Sequence, residues 1–292
     1  MDIQKFVQRR KKRGISQVAL CDGICTQSTL SKFESNGQIP SVLILGKLCQ
    51  RLDLSIDDLV ENGKSTQEPV HKTVLDEAEL NLMAEKFPLV ISQLRSLREQ
   101  ELPNRQQRMQ YYYLRGMLDT LTNNQTATTM FNFTQILDKL DEQHEAVYSQ
   151  LAYLGSGILY ARKNELGNAE FFFTKVINYL RAQNDSVKLA KESTTTYLRL
   201  IMMLYYVAEY EALRERYSRS NHCLQMVTDF CARCHVTFFM PRTRLLQANN
   251  AIRGGGNPDH IADLLNDALV FARFNHNNVV ELQAAALKKH FA

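Results

Sequence analysis

The sequence predicts an all-α protein with a small N-terminal domain of five short helices and a longer helical-repeat domain. Only 12 Gly and 6 Pro occur among 292 residues, and helix-favouring Leu, Ala, Gln, Glu and Arg are common. The polar segment NGKSTQEP has the composition of a linker. Ten-residue segments on either side of residue 150 repeat each other. We therefore predict domains at 1–61 and 70–292, joined by a linker at 62–69.

The first domain has helix-boundary signals at regular intervals. Ile3, Phe6 and Val7 are placed to face inward on the first helix, which Gly14 ends. Asn36-Gly37 ends the third helix. Side chains that can cap the second to fifth helices are Ser16, Thr26, Ser41 and Ser55, the last with Asp58 as a capping box.

Positive charge is concentrated in this domain. The whole chain has a net charge of +4, and residues 1–64 carry ten Lys or Arg against seven Asp or Glu. Six of the ten basic residues lie between Lys5 and Arg13. Such a cluster is either a solvated face or part of a phosphate-binding surface.

Residues 16–33 have the spacing of a helix-turn-helix. Val18, Leu20 and Cys21 form the inner face of its first helix, and Leu30 and Phe33 pack the second. This phase leaves a largely uncharged polar row on the outer side of the second helix, where it can enter a major groove: Gln27, Ser28, Thr29 and Lys32. The alternative is an ordinary capped surface helix rich in Ser and Thr.

The C-terminal domain contains an internal repeat. FNFTQILDKL (131–140) and FFFTKVINYL (171–180) match at an offset of 40 residues. Before the second copy, Tyr153-x2-Ser156-Gly157-x2-Tyr160 and Ala169-x3-Phe173 resemble the tetratricopeptide pattern. We predict about five helical hairpins stacked as a right-handed solenoid. One contains the tetratricopeptide-like pattern, and looser helical pairs lie at about 71–103, 107–143, 193–234 and 239–274, with a last helix near 277–290.

The N-terminal sequence also resembles a known family. RRKKRGISQVAL and LGKLCQRLDLSIDDL are similar to the lambda-repressor-type (Xre) helix-turn-helix, and GICTQSTLSKFES resembles the Rgg/PlcR (RRNPP) group of peptide-responsive transcription regulators. Members of that group pair this domain with a tetratricopeptide-like domain. The resemblance implies an ion pair of Arg10 with Glu34 that braces the motif. It implies DNA-binding roles at the helix starts and along the polar row, for Ser16, Gln17, Thr26, Gln27, Ser28, Thr29, Lys32 and Ser41.

The inner surface of the repeat domain is the expected peptide site. If Tyr153, Gly157 and Tyr160 pack between helices, helix geometry turns another set toward the concave side. This predicted groove consists of Leu154, Ile158, Arg162, Leu198, Met202, Tyr205, Leu245, Asn249 and Arg253. Asn can hydrogen-bond a peptide backbone, and Arg can hold a terminal carboxylate. The alternative is that its apolar members simply pack on neighbouring helices.

Other motifs carry less weight. CARCH (231–235) matches a haem-attachment pattern, but its cysteines share an apolar helix face and are more simply explained as packing. We expect no metal, no cofactor and no enzymatic activity. The N-terminus lacks the apolar core of a signal peptide, and no apolar run approaches the roughly 18 residues of a membrane span, so a cytoplasmic protein without membrane contact is predicted.

The sequence leaves three functions to compare. The favoured one is a sequence-specific transcription regulator, a homodimer on a pseudo-palindromic double-stranded DNA site, whose repeat domain binds a short signalling peptide. The second is a DNA-binding repressor whose repeat domain only dimerises or docks a protein partner. The third, an enzyme or redox protein built around CARCH, has the least support.

Overall fold

The computed structural model describes residues 3–52, 54, 59, 68–183 and 194–291, and all regular elements within these ranges are helical. The predicted all-α fold class is therefore confirmed. The chain divides into two compact units, Met1–Val70 and His71–Ala292. In the described part of the chain, no helix combines the length and the apolar character needed to cross a membrane.

The N-terminal unit contains four described helices: α1 (Ile3–Lys12), α2 (Gln17–Cys21), α3 (Gln27–Asn36) and α4 (Val42–Arg51). Phe6 and Phe33 meet edge to face in its core, with ring centroids 5.2 Å apart. The core side chains without exposed surface are Phe6, Leu20, Leu30, Phe33, Leu48, Leu52 and Leu59. The predicted fifth helix, with its Ser55 and Asp58 capping box, falls outside the described residues.

Three predicted caps form. Ser16, Thr26 and Ser41 each accept a hydrogen bond from the backbone N–H three residues further on, which satisfies one free donor of the following helix. Gly37 ends α3 in the left-handed region, at φ 70°. The prediction for Val18 is wrong, because this side chain is 68% exposed. In a helix as short as α2, only Leu20 and Cys21 reach the core.

The C-terminal unit is a series of antiparallel hairpins. Its helices are α5 (Glu68–Met83), α6 (Phe87–Arg95), α7 (Arg105–Leu121), α8 (Thr126–Thr134), α9 (Val147–Arg162), α10 (Leu166–Ala182), α11 (Thr194–Leu213), α12 (Tyr217–Cys234), α13 (Met240–Arg253), α14 (Pro258–Phe274) and α15 (Asn278–Phe291). These bounds agree with the four helical pairs and the last helix that were placed from the sequence, and α9 with α10 forms the hairpin that contains the tetratricopeptide-like pattern. Helix α5 starts at Glu68, inside the predicted linker; residues 62–67 lie outside the described ranges.

The hairpins share a turn geometry. The connection inside each contains one residue in the left-handed region: Glu85, Asn123, Asn164, Glu215 and Gly255. A left-handed residue ends the first helix and turns the chain back within a few residues. The repeat is therefore visible in the backbone as well as in the sequence.

The 40-residue sequence repeat corresponds to equivalent packing. Phe133 and Phe173 are buried in the cores of successive hairpins, whereas Phe131 and Phe171 are exposed. The Phe173 ring lies so close to Gly157 that a Cβ there would be 3.0 Å from the ring atom Cε2. The two copies differ in backbone geometry: α8 continues into a π-helical turn at Gln135–Leu140, whereas α10 remains α-helical.

Candidate DNA-binding surface and ligand cavity

The predicted DNA-binding residues lie around the start of α3. Six of the eight side chains are exposed: Ser16, Thr26, Gln27, Ser28, Lys32 and Ser41. Gln17 and Thr29 are half-buried. The Thr29 hydroxyl is 2.8 Å from the hydroxyl of the N-cap residue Thr26, so the two side chains hold each other at the first turn of α3. A polar, largely uncharged surface therefore starts at the N-terminus of α3.

Arg10 and Glu34 form the predicted ion pair. Arg10 Nε lies 2.7 Å from Glu34 Oε1 and Nη2 lies 2.8 Å from Oε2, which is a bidentate geometry. Burial raises the pKa of the Glu34 carboxyl, but hydrogen bonds from Arg10 and Gln17 outweigh burial and hold that pKa below its ordinary value. Arg10 Nη1 also donates to the Ile15 carbonyl, so the pair connects α1, the α1–α2 turn and α3.

Gln17 connects this ion pair to the predicted DNA-binding surface. Its Nε2 donates to Glu34 Oε2 at 2.8 Å, and its Oε1 accepts from Gln27 Nε2 at 2.9 Å. The assignment of amide O and N follows from this network. Gln27 is therefore held by a hydrogen-bonded series that runs from Arg10 through Glu34 and Gln17. Sequence spacing alone did not predict this series.

The basic cluster separates into two kinds of residue. Three arginines donate to backbone carbonyls: Arg9 to Leu52, Arg10 to Ile15 and Arg13 to Arg51. By contrast, Lys11 and Lys12 are exposed at the end of α1, and neither forms an ion pair with a described residue. These two lysines are the members of the cluster best placed to meet phosphate.

A cavity of about 590 Å³ lies between α9, α11 and α13 of the C-terminal unit. Four of the predicted groove residues line it: Ile158, Arg162, Asn249 and Arg253. The other five do not line it and are buried instead: Leu154, Leu198, Met202, Tyr205 and Leu245. Met202, for example, accepts a hydrogen bond from the buried Tyr113 hydroxyl. The predicted groove is therefore only partly correct: the later residues of the α9 and α13 sets line the cavity, whereas the whole α11 set lies in the core.

Several lining residues were missed from the sequence. Glu209 and Tyr206 on α11 line the cavity, as do Tyr210 and Asn250. Glu209 follows Tyr205 by four residues, so the same helical phase could have found it. Asn250 donates from Nδ2 to both Ser220 and Asn221 of α12, at 2.8 Å each, which joins α13 to α12 beside the cavity.

The cavity contains charges of both signs. Its charged lining residues are Arg162, Glu209 and Arg253. Arg162 Nη1 donates to the carbonyls of Thr120 and Leu121 at the end of α7, at 2.7 and 3.2 Å. Burial raises the pKa of the Glu209 carboxyl, and the positive charges of Arg242 and Arg162 oppose that rise only in part.

The CARCH segment forms the end of α12 and a left-handed residue, His235. Burial raises the pKa of Cys231 to about 12 and that of Cys223 to about 11, so both thiols are protonated and weakly nucleophilic at neutral pH. The described residues contain no group of three or more His, Cys, Asp or Glu side chains positioned to hold a metal ion. Cys231 is part of the hydrophobic core, and the partly buried Cys223, which precedes the segment on α12, packs against it.

Residues 7–59 match the helix-turn-helix family. This range covers α2, α3 and α4, with the capped helix starts and the Arg10–Glu34 pair. The N-terminal unit is therefore a helix-turn-helix domain. No curated protein sequence shows significant similarity to the chain.

Solved structures match nearly the whole chain. PlcR from Bacillus thuringiensis, in complex with the peptide PapR7 and DNA, is 16% identical with a TM-score of 0.71, and the match covers 99% of this chain and 98% of PlcR. ComR from S. thermophilus, in complex with DNA and its signalling peptide ComS, is 16% identical with a TM-score of 0.63 and 98% coverage of both chains. ComR from Streptococcus vestibularis, with its cognate signaling peptide XIP, is 18% identical with a TM-score of 0.51, over 99% and 97% of the two chains. The chain shares the fold of these proteins: a helix-turn-helix domain followed by a helical-repeat domain.

Proposed function

We propose that this helix-turn-helix protein is a sequence-specific transcription regulator that acts on DNA in the cytoplasm and responds to a short signalling peptide. The cavity between α9, α11 and α13 is the proposed peptide site. The observation that carries the proposal is the Gln17–Gln27 hydrogen bond beside an exposed polar row, in a chain with the fold of PlcR and ComR. Those two proteins are known in complex with both a peptide and DNA.

The surface at the start of α3 suits base recognition. A Gln side chain can pair with adenine through two hydrogen bonds, and Ser and Thr hydroxyls can pair with several base edges. Because Gln27 is already held by Gln17, fewer of its rotamers must be lost on binding. The backbone N–H groups at the starts of α2 and α4, capped by Ser16 and Ser41, can bind phosphate and fix the register.

The cavity suits a short peptide. Its volume of about 590 Å³ lies within the range of small-ligand sites and holds a few residues rather than a folded partner. Its walls mix aromatic and aliphatic side chains with the Asn249 amide, which can both donate to and accept from a peptide backbone. Arg253 is exposed at the end of α13, where it can meet a carboxylate.

Dimerisation completes the proposal. One recognition helix reads only a few base pairs, so a specific site requires two copies. The last helix of a helical-repeat domain normally has a polar outer face. In this protein α14 and α15 instead expose four large apolar side chains: Val270, Phe274, Val279 and Leu282. A second copy of the chain is the proposed partner of this face. Sedimentation of a Leu282→Glu variant as a monomer, beside a dimeric wild type, would support this surface.

The decisive experiment is mass spectrometry of the protein purified under native conditions from its own host. A co-purifying short peptide is the expected result, and it should be released on denaturation. Less of that peptide should co-purify with an Asn249→Ala variant than with wild type. Gln143 is exposed and lies outside the cavity, so a Gln143→Ala variant should co-purify with as much peptide as wild type. If a protein partner and no peptide co-purifies, the alternative of a docking or dimerisation domain is correct.

A further inference from the structure

Among the described residues that line the cavity, Glu209 is the one with an acidic side chain. It lies on α11, whose preceding turn carries Tyr205. The hydrogen bond that Glu209 receives within the described part of the chain comes from the Tyr205 hydroxyl, and at 3.4 Å it is long. An ionised carboxylate offers about four acceptor positions, so most of the hydrogen-bonding capacity of Glu209 is unused.

The two arginines near Glu209 are engaged elsewhere. Arg242, on α13, forms an ion pair with Glu85 in the connection between α5 and α6. Arg162 directs Nη1 at the carbonyls that end α7, where the helix dipole supplies partial negative charge. Each cation therefore has a closer acceptor than Glu209 and acts on that carboxylate only from a greater distance. Within the described part of the chain, the Glu209 carboxylate at the cavity has the long hydrogen bond from Tyr205 and no ion pair.

We infer that Glu209 determines the specificity of the peptide site by accepting a cationic group of the ligand, either an ammonium or a guanidinium. This inference rests on the proposed peptide-binding function and adds the chemical class of the group that enters this part of the cavity. A half-buried carboxylate with one long hydrogen bond is poorly solvated, and a charged donor from the ligand replaces the lost water. A neutral donor would leave the negative charge uncompensated.

The charge distribution around the cavity supports a cation at this position. Arg242 and Glu85 offset each other, and the α7 carbonyls offset part of the charge of Arg162. Among the described residues, Glu209 forms no ion pair, and the charges of Arg242 and Arg162 stabilise its carboxylate only in part. Arg253 lines the cavity from the end of α13, and it has no ion pair with any described residue. A peptide with a cationic group for Glu209 and a carboxylate for Arg253 satisfies both.

The cationic group has two chemical sources, the amino terminus of the peptide or a Lys or Arg side chain. The test is an affinity selection of synthetic linear heptapeptides in two libraries, one with free and one with acetylated amino termini. Purified full-length wild type, Glu209→Gln and Glu142→Gln proteins are each incubated with both libraries, and bound peptides are identified by mass spectrometry. Glu142 is an exposed glutamate that does not line the cavity, so it provides a matched control for the loss of one negative charge.

For wild type and Glu142→Gln we expect enrichment of Lys or Arg at one position in both libraries, or enrichment confined to free amino termini. Glu209→Gln should lower the affinity of the selected peptides by at least about tenfold, the lower end for a hydrogen bond to a charged group. Replacing the selected Lys or Arg of the peptide by citrulline should lower its affinity for wild type to a similar extent. The same replacement should hardly change its affinity for Glu209→Gln. A general loss of stability in Glu209→Gln would weaken the binding of both peptides alike, so it would not produce this difference.

Two results would overturn the inference in different ways. In the first, the enriched peptides show no preference for a cationic group, or Glu209→Gln keeps the same preference as wild type. Peptide binding would then be supported, but Glu209 would not determine which ligand binds. If wild type enriches no peptide from either library, the proposed peptide-binding function is overturned, and the inference is overturned with it.

Discussion

Arg199 and Glu79 form a bidentate ion pair although they are 120 residues apart in the chain. Arg199 Nε lies 2.7 Å from Oε1 and Nη2 lies 2.8 Å from Oε2, and the side chains are only 14% and 1% exposed. Arg199 also donates to the Tyr148 hydroxyl, and Gln110 donates to Glu79. The pair therefore joins α11 to α5, with side chains of α7 and α9 around it.

The first prediction concerns this pair. Arg199→Met should lower the free energy of unfolding by about 3–5 kcal/mol, because it leaves the Glu79 carboxylate buried without its cation. The double variant with Glu79→Leu should recover most of that loss, since no uncompensated charge then remains. Urea denaturation followed by circular dichroism measures both. A single variant as stable as wild type would contradict this reading.

A matched control exists on the surface. Arg273 and Glu281 join α14 to α15 at 2.8 Å, but the Arg273 side chain is 66% exposed. Arg273→Met should change the free energy of unfolding by less than about 1 kcal/mol, because water and salt screen exposed pairs. If Arg199→Met and Arg273→Met lowered the free energy of unfolding by similar amounts, burial would not determine how much an ion pair contributes to stability.

The second prediction concerns the hydrogen-bonded glutamines. Gln17→Ala removes the link between Glu34 and Gln27, so it should weaken binding to a preferred DNA site that wild type selects from random sequences. We expect a loss of about 1–3 kcal/mol, the size of one base contact. Binding to unrelated DNA should change little at equal salt. Fluorescence anisotropy with both DNAs tests this, and an equal loss on both would assign Gln17 to phosphate contact only.

Lys12→Ala is the corresponding control for phosphate binding. Lys12 is exposed at the end of α1. Its removal should weaken binding to selected and unrelated DNA alike and make the salt dependence of binding shallower. Titrations at several salt concentrations provide the slope.

The third prediction concerns close packing between hairpins. A Cβ at Gly155 of α9 would overlap the ring of Phe133, which is fully buried and cannot move away freely. Gly155→Ala should therefore lower the free energy of unfolding by about 1–3 kcal/mol through overpacking. Gly167→Ala should instead be neutral or raise it by up to about 1 kcal/mol, because nothing lies within 4 Å of a Cβ there and Ala is the better helix former. Thermal unfolding of both variants tests whether Gly155→Ala lowers the stability while Gly167→Ala leaves it unchanged or raises it.

The fourth prediction is a pH dependence. Burial raises the pKa of Glu209 above its ordinary value of 4.5, and the nearby charges that modify it are those of Arg242, Arg162 and Glu85. The folded protein therefore holds this proton to higher pH than the unfolded chain does. Stability from this group is present below about pH 4.5 and is lost as pH rises through the folded pKa.

Glu209→Gln removes this titration. Its free energy of unfolding relative to wild type should therefore rise as pH increases above about 4.5 and level off once wild-type Glu209 is ionised in both states. Denaturation series of the two proteins across this range measure the difference. A constant difference at all pH values would show that the folded and unfolded pKa values of Glu209 are equal.

The sequence by itself determined the helices and their order. Helix starts depend on contacts within a few residues, such as Ser16 with the Ala19 N–H and Thr26 with the Thr29 N–H, so they are visible in the chain. The hairpin repeat was equally visible, because Phe133 and Phe173 occupy equivalent packing positions. The Arg10–Glu34 pair came from resemblance to a known family and is present in the structure.

Tertiary structure alone decided which side of each inner helix faces the cavity. Thirteen of the 20 residues of α11 are buried, so its apolar pattern does not distinguish the side toward the cavity from the sides toward other helices. Met202 and Tyr205 therefore fall in the core, while Glu209, one turn beyond Tyr205, lines the cavity. The link from Gln17 to Gln27 and the pairing of Glu79 with Arg199 likewise depend on how separate helices are oriented. Such contacts arise from packing between distant segments, and the spacing of residues along one helix does not contain that information.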